Sequence, residues 1–410
     1  MSPDARTAEP PERLGVFLIG ARGSVSTCVA LGVCGLRSGR LDETGLVTAR
    51  PAFARVPLAD PRRFVLGGIE VRRGSLRASA SALADEGVAS QELVAAEAAT
   101  LDEIDGRIGP GFLDGPDRDA AKAESILAET LAGRALASSR IVDALVERLA
   151  SFRRSVGGPV VVVNAASTEA ERPAPEAWRT LEGFERDLRA GGSVPMSALY
   201  AYAAISSGCP YVNFTPSLGA SFGALDELAR AKGVPHCGSD GKTGETLVKS
   251  ALAPMFRDRN LRVLAWEGYN LLGNSDGETL ADPAHRAAKV RNKDEALRRL
   301  LGDPSVHTRV GIDFVPSLGD WKTAWDFVHF RGFLGAKMTL QFTWSGSDSA
   351  LAAPLVIDLV RLADLSHRRR EAGAMAHAAA FFKSPLGTDE RDFHRQNQRL
   401  EEYASAASRP

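Results

Sequence analysis

Two kinds of apolar pattern run along the chain. Leu14 to Gly20 (LGVFLIG) and Pro159 to Val163 (PVVVV) are short, uninterrupted apolar runs that each end in small or polar residues. Strands covered by helices on both faces look like this, whereas half-exposed strands alternate. The first run continues into ARGSVSTCVALGVCGLRSG, which predicts strand, tight turn and helix, and the second into Asn164-Ala165-Ala166-Ser167-Thr168-Glu169. Ala120 to Phe152 has the Ala/Leu spacing of amphipathic helices, and Ser197 to Ile205 (SALYAYAAI) predicts a helix ahead of the strand-like Tyr211-Val212-Asn213-Phe214. This alternation predicts an α/β fold with a doubly wound parallel sheet.

After about residue 250 the pattern changes. Leu261 to Gly268 (LRVLAWEG), Val310 to Val315 and Ala336 to Trp344 (AKMTLQFTW) mix apolar and polar residues in partial alternation, which predicts half-exposed strands of a second sheet. From Ala350 to Arg370 the helical period returns, so the chain is expected to go back to the first domain.

Composition narrows the class. The 410 residues suit two to three domains; 44% hydrophobic and 25% charged residues set aside collagen-like, disordered and disulfide-scaffold chains. Lys and Arg total 50 against 51 Asp and Glu, so no net charge draws the chain to nucleic acid or an anionic membrane, and any anion must be bound locally. Cys28, Cys34, Cys209 and Cys237 form no CxxC pair, which fits a reducing, cytoplasmic setting. The polar start MSPDARTAEPPER predicts a loose tail over residues 1–13, and no run of about 18 apolar residues predicts a membrane span.

Candidate chemistry begins at Gly20-Ala21-Arg22-Gly23-Ser24-Val25-Ser26, between the first strand and its helix. Gly20, Gly23, Ser24 and Ser26 allow backbone N–H groups and a helix N-terminus to approach a pyrophosphate. Arg22 stands at the second glycine position, so a turn that binds nothing stays open as a reading. The segment after Gly45, LVTARPAF, has no acidic residue to hold a ribose; Arg50 or Arg55 is offered for a 2′-phosphate, which leaves NAD or NADP open.

GSDGKTGETLVK (238–249) resembles a P-loop only superficially, because His236 occupies the place of the first Walker glycine. Small residues opening a helix suit a phosphate monoester; the alternative is a helix with Thr243 as its cap. Lys289 and Lys293, four residues apart, would share a helix face, either around an anion or as a solvated surface. Lys322 and Lys383 are flanked by large aromatics, which hints at burial, with snorkelling as the alternative. The seven histidines show no zinc spacing; Asp240, Asp276 and Asp348 suit either an oxygen-ligand cation site or loop caps.

Taken together, the motifs resemble the myo-inositol-1-phosphate synthase family, in its shorter archaeal-type members. The resemblance rests on VVNAASTE (162–169), LEGFER (181–186), SALYAYAAI (197–205), NFTPS (213–217), GSDGKTGETLVK, YNLLGNSDG (269–277), the AAKVRNK lysine pair, GDWKTAWDFVHF (319–330), SDSALAAPL (347–355) and FFKSP (381–385). It implies a homotetramer that converts D-glucose 6-phosphate to 1L-myo-inositol 1-phosphate with bound NAD and a divalent or monovalent cation. It also implies a Rossmann-like domain at 14–248 and 349–410, with a catalytic and tetramerisation α+β domain, 249–348, inserted between. Lys289 and Lys383 are assigned by similarity to the C5 oxygen and proton transfer, and Lys293 and Lys322 to the phosphate and the C1 oxygen. Thr243, Gly244 and the Leu272 backbone resemble the phosphate cradle, and Asn270 and Asp276 the hydroxyl-binding positions. Cofactor contacts are expected from Gly20, Arg22, Gly23, Ser24, Val25, Ser26, Ser167 and Thr168, with Asp240 and Asp348 near the nicotinamide or a cation.

Overall fold

The computed structural model describes residues 9–112, 138–170, 172–273, 301–303 and 305–408. The chain forms two compact units: Met1–Gly241, Ala353–Asp389 and Arg399–Pro410 in the first, Lys242–Ala352 and Glu390–Gln398 in the second. In chain order the strands are β1 (Leu14–Ile19), β2 (Phe64–Glu70), β3 (Ile108–Pro110), β4 (Val160–Asn164), β5 (Tyr211–Asn213), β6 (Pro235–Cys237), β7 (Arg262–Leu272), β8 (His307–Phe314), β9 (Trp321–Arg331), β10 (Lys337–Ser347) and β11 (Gly373–Ala374).

The first unit holds a parallel sheet in the order β11-β6-β5-β4-β1-β2-β3. All six residues of β1 are buried because both of its faces are covered. Leu14, Val16 and Leu18 pack with Val29 and Val33 of helix Ser24–Ser38, while Phe17 and Ile19 join Leu145 and Leu149 of helix Ser138–Val156. The strand order reverses between β1 and β4, and in doubly wound sheets ligands bind at the carboxyl ends of strands at that crevice.

β1, β4, β5, β7, β8 and β10 fall where the sequence pattern predicts strands, and helix Met196–Ser206 covers the SALYAYAAI segment; β2, β3, β6, β9 and β11 are not foreseen by it. β2 shows why. Residues 47–63 are taken up by short 3₁₀ turns, Val47–Ala49, Pro51–Phe53 and Pro61–Arg63, and the second strand follows them as FVLGGIE. Its glycines disguise it, yet they are what the pairing needs: a Cβ on Gly68 would lie 1.9 Å from the Leu18 carbonyl oxygen. Of the helical stretch expected over 120–152, residues 113–137 lie outside the described residues and Ser138–Val156 is a helix.

In the second unit a four-stranded sheet, β10-β9-β7-β8, is antiparallel except between β7 and β8. One face buries Val263, Trp266 and Val328 against Phe256 of helix Gly244–Asp258. The period of two turns Tyr269, Trp325, Phe327 and His329 to the other face, where neighbouring rings lie 6.0 to 6.5 Å apart and Trp325 is 39% exposed. None of the four cysteines forms a disulfide, and all are buried. No helix among the described residues is long and apolar enough to cross a membrane.

Candidate active site

In the first unit the candidate cofactor residues gather at the carboxyl edge of the parallel sheet. Gly20 follows β1 with φ +80, and a Cβ there would meet the Ala166 backbone at 2.8 Å, so only glycine lets the turn pass the loop after β4. Gly20 and Ala21 donate to the Ile69 carbonyl at 3.0 and 3.1 Å, which ties the turn to β2. Among the described residues, Gly23 starts helix Ser24–Ser38 with no side-chain cap, leaving its first N–H groups to an anion, and the buried Ser26 hydroxyl has no hydrogen-bond partner. A glycine-only cradle, an uncapped helix N-terminus and an orphaned hydroxyl fit the pyrophosphate of a dinucleotide. Ser24 is exposed and Val25 half-buried in the same first turn.

Two side chains there have partners that the sequence alone did not reveal. Arg22 turns its guanidinium away to Asp105, at 2.7 and 3.2 Å. Its backbone N–H donates to Glu70 at 2.8 Å, and the same carboxylate accepts from the Val71 and Arg72 N–H groups at 2.8 and 3.0 Å. Glu70 is therefore the acidic residue at the end of the second strand. The expectation that none stands there is corrected: it was sought just after Gly45, but the 3₁₀ turns displace the strand by some two dozen residues and its two glycines hide it. Arg72 in turn donates to Ser167 at 3.1 Å, beside the exposed Thr168. Arg50 pairs with Glu401 at 2.8 Å.

Farther along the same edge, Asn164 and Asn213 close β4 and β5, joined at 3.2 Å, and Thr215 donates its N–H and hydroxyl to Asn213. Beyond β6, Asp240 takes a left-handed conformation, φ +64, and the FFKSP segment is laced to it. Ser239 and Ser384 exchange backbone hydrogen bonds, and the Lys383 N–H donates to the Asp240 carbonyl at 2.7 Å. This lacing brings the Lys383 ammonium 2.9 Å from the Asp240 carboxylate, across 143 residues of sequence. Phe381 and Phe382 fill the core, while the Lys383 side chain stays 33% exposed.

In the second unit Thr243 occupies the N-cap position of helix Gly244–Asp258, but its hydroxyl does not cap. It donates to Asp348 at 3.3 Å, and Asp348 also accepts the Lys322 ammonium. Gly244, at φ +52, leaves space beside them: a Cβ would sit 3.1 Å from Asp348 Oδ1. The register places Leu272 of β7, Lys322 of β9 and Gly346 of β10 side by side, two residues before Asp348. Asn270 is buried on β7, and Asp320, whose carboxyl burial pushes up, accepts from Ser347 and Ser349 at 2.6 and 2.8 Å. An unforeseen donor is Trp344: its buried indole N–H has no partner among the described residues and lies 3.6 Å from where a Gly244 Cβ would stand. Alternating polarity placed Trp344 on a strand; nothing in its spacing marks an unpaired donor.

One turn into the same helix, Lys249 is buried between Glu245 at 2.6 Å and Asp326 at 3.0 Å, and Trp266 donates to Asp326 at 2.7 Å. Burial beside the second carboxylate raises the Asp326 carboxyl to about 6. Gly268 makes room, since a Cβ there would come within 2.9 Å of all three charged groups. Lys289, Lys293 and Asp276 lie outside the described residues. No group of three or more potential metal ligands occurs among the described residues.

Comparison with known proteins gives concordant results. Residues 14–404 match the family model described as Myo-inositol-1-phosphate synthase. Inositol-3-phosphate synthase 1 of Bacteroides thetaiotaomicron is 31% identical over 398 residues, covering 91% of this chain and 90% of that protein. Among solved structures, inositol-3-phosphate synthase from Caenorhabditis elegans superposes with a TM-score of 0.84 at 21% identity, covering 97% of this chain and 86% of that one. A myo-inositol-1-phosphate synthase-related protein from Thermotoga maritima gives 0.78 at 24% identity, with 96% and 98% covered. At those identities the two structures establish the fold.

Proposed function

Because the chain belongs to the myo-inositol-1-phosphate synthase family, we infer that it converts D-glucose 6-phosphate to 1L-myo-inositol 1-phosphate. The observation that carries this reading is the family match over residues 14–404, which spans every candidate site residue named above. NAD, when bound, supplies a hydride acceptor for C5 and returns the hydride once the ring has closed. Gly20, Gly23 and the first turn of helix Ser24–Ser38 would hold its pyrophosphate, with Ser167 and Thr168 alongside. The Glu70 carboxylate at the end of β2 would repel a 2′-phosphate, which favours NAD over NADP.

The chain's own groups then have distinct tasks. A ketone at C5 acidifies the C6 protons, and the resulting enolate attacks the C1 aldehyde, so negative charge develops on oxygen at C5 and then at C1. Fixed ammonium groups stabilise such charge best in a site closed to water. Lys383, oriented by Asp240, is assigned to the C5 oxygen and the proton leaving C6, together with Lys289. Lys322, oriented by Asp348, is assigned with Lys293 to the phosphate and the C1 oxygen. Thr243, Gly244 and the Leu272 backbone would seat the phosphate, with the Trp344 N–H as a further donor, and Asn270 and Asp276 would take hydroxyls. A divalent or monovalent cation belongs to the same reading. We also propose that the second unit, as the catalytic and tetramerisation part, joins copies through the aromatic face of its sheet, and that the enzyme works in the cytoplasm, where its cysteines stay reduced.

The test is to incubate protein, glucose 6-phosphate and NAD⁺ and to follow phosphorus NMR and NADH absorbance together. Inositol phosphate without net NADH is expected. Steady NADH formation without inositol phosphate would instead mark a dehydrogenase acting on another sugar phosphate.

A further inference from the structure

At the opposite edge of the first unit's parallel sheet lies a cavity of about 410 Å³, lined by Glu12, Arg13, Arg37, Arg62, Arg63, Phe64, Val65, Glu103 and Arg107. Arg13 immediately precedes β1, Arg107 immediately precedes β3, and Phe64 opens β2, so the cavity sits at the strands' amino ends. β1 has 6 residues, and at roughly 3.3 Å per residue that sets the cavity about 20 Å from the Gly20 turn. It is separate from the nucleotide edge.

Five arginines converge here because three backbone segments end together, and two of the five are held by carbonyl groups. Arg37 donates to the Arg62 and Phe64 carbonyls at 2.9 and 2.7 Å, and Arg107 donates to the Leu66 carbonyl at 2.9 Å. Those bonds fix the guanidinium planes and leave further N–H groups on each. Arg107 is paired with Glu103 at 2.8 Å, and Arg62 is drawn to Glu43 and Asp60 at 3.1 and 3.3 Å. The hydrogen bond from Arg107, with the fields of Arg37 and Arg13, holds the Glu103 carboxyl below its ordinary range. Among the described residues the Arg13 and Arg63 guanidinium groups make no hydrogen bond or ion pair. The five arginines meet four carboxylates, Glu12, Glu103, Glu43 and Asp60, which leaves a positive charge in the cavity, with Arg13 and Arg63 as its unpaired groups among the described residues.

Like charges gathered this closely repel unless an anion lies between them, and planar guanidinium forks match phosphate oxygens in pairs. Five guanidinium groups offer more N–H donors than the oxygens of one phosphate can accept, and the volume, in the range of small-molecule sites, admits two linked phosphates. Phe64, the one ring among the described lining residues, is 1% exposed and offers no face for a base to stack on. We propose that this cavity is a second anion site, distinct from the substrate and cofactor sites, that binds a diphosphate group.

The test is calorimetric titration of NAD-loaded protein with inorganic diphosphate, ADP and inorganic phosphate at fixed ionic strength. The variants are Arg13→Gln/Arg63→Gln and a control, Arg179→Gln, at an exposed arginine of the same unit paired with Glu176. One site for diphosphate is expected, weakened about tenfold or more in the double variant and unchanged in the control, since a hydrogen bond to a charged group contributes about that factor. ADP binding more tightly than diphosphate assigns the site to nucleotides, and equal or weaker ADP binding assigns it to free diphosphate or polyphosphate; both support the proposal. Equal affinity in wild type and double variant, no detectable binding, or phosphate binding as tightly as diphosphate would overturn it. Unchanged turnover of the double variant with glucose 6-phosphate establishes that it is folded, because neither arginine belongs to the candidate active site.

Discussion

At the scale of single residues, the two described lysines of the candidate site are not alone. Lys383 meets Asp240 at 2.9 Å, and Lys322 meets Asp348, so each ammonium is aimed by a carboxylate instead of being set among the aromatic residues beside it in sequence. Lys383→Ala removes charge from the proposed C5 site without touching the Gly20 turn. Its kcat is expected to fall by about a thousandfold, with NAD affinity unchanged within about twofold, because only transition-state stabilisation is lost. Steady-state kinetics and a titration of NAD into the variant check this; near-normal turnover would remove Lys383 from the mechanism. The lysines were legible in the sequence, flagged by type and flanking residues. Their partners were not, since Lys383 and Asp240 are 143 residues apart and only the lacing of Ser384 to Ser239 brings them together. Trp344 is a similar case, because an unpaired indole N–H is a property of the packed state.

At the scale of elements, continuous apolar runs gave β1 and β4 directly, because burial on both faces leaves no polar position. β2 escaped because Gly67 and Gly68 carry no strand signal, although close pairing with β1 demands glycine at Gly68; Glu70 escaped with it. The 3₁₀ turns ahead of β2 are held from far along the chain. Asp358, fully buried on helix Asp348–Arg368, accepts from the Val47 N–H at 2.6 Å, the Thr48 N–H at 3.2 Å and the Thr48 hydroxyl, while Arg361 donates to the Ala59 carbonyl at 3.0 Å. Burial outweighs these hydrogen bonds and pushes the Asp358 carboxyl up to about 6, from 3.8 when unfolded. The folded state then holds its proton more tightly, so this group's contribution to stability is fully present below about pH 4 and is lost as pH rises through about 6. The loss is ~3 kcal/mol at most. Urea unfolding of wild type and Asp358→Asn at pH 4.5 and 7 should show wild type losing ground to the variant by a large part of that amount. A pH-independent difference between them would mean that the carboxyl is already ionised at the lower pH.

At the scale of the whole molecule, the alternation of β and α elements, the later change to half-exposed strands and the return of the helical period made both sheets legible. What the sequence could not supply was which side of the second sheet lies bare. β9 turns Ala324, Asp326 and Val328 inward and Trp325, Phe327 and His329 outward, and an aromatic face of this kind calls for a covering partner. If copies of the chain cover it, Trp325→Lys should shift sedimentation from tetramer to smaller species; an unchanged sedimentation coefficient would place the interface elsewhere.

The claim on which everything else depends is that redox chemistry at C5 serves ring closure and leaves no net oxidation. Glucose 6-phosphate carrying deuterium at C5, turned over by the NAD-loaded protein in ordinary water, tests it most directly. Mass spectrometry and proton NMR of the product should find inositol phosphate with the deuterium kept on the carbon that was C5, because the hydride removed there is the one returned. Inositol phosphate lacking that deuterium would contradict return of the same hydride, and labelled NADH in place of inositol phosphate would contradict the reaction itself.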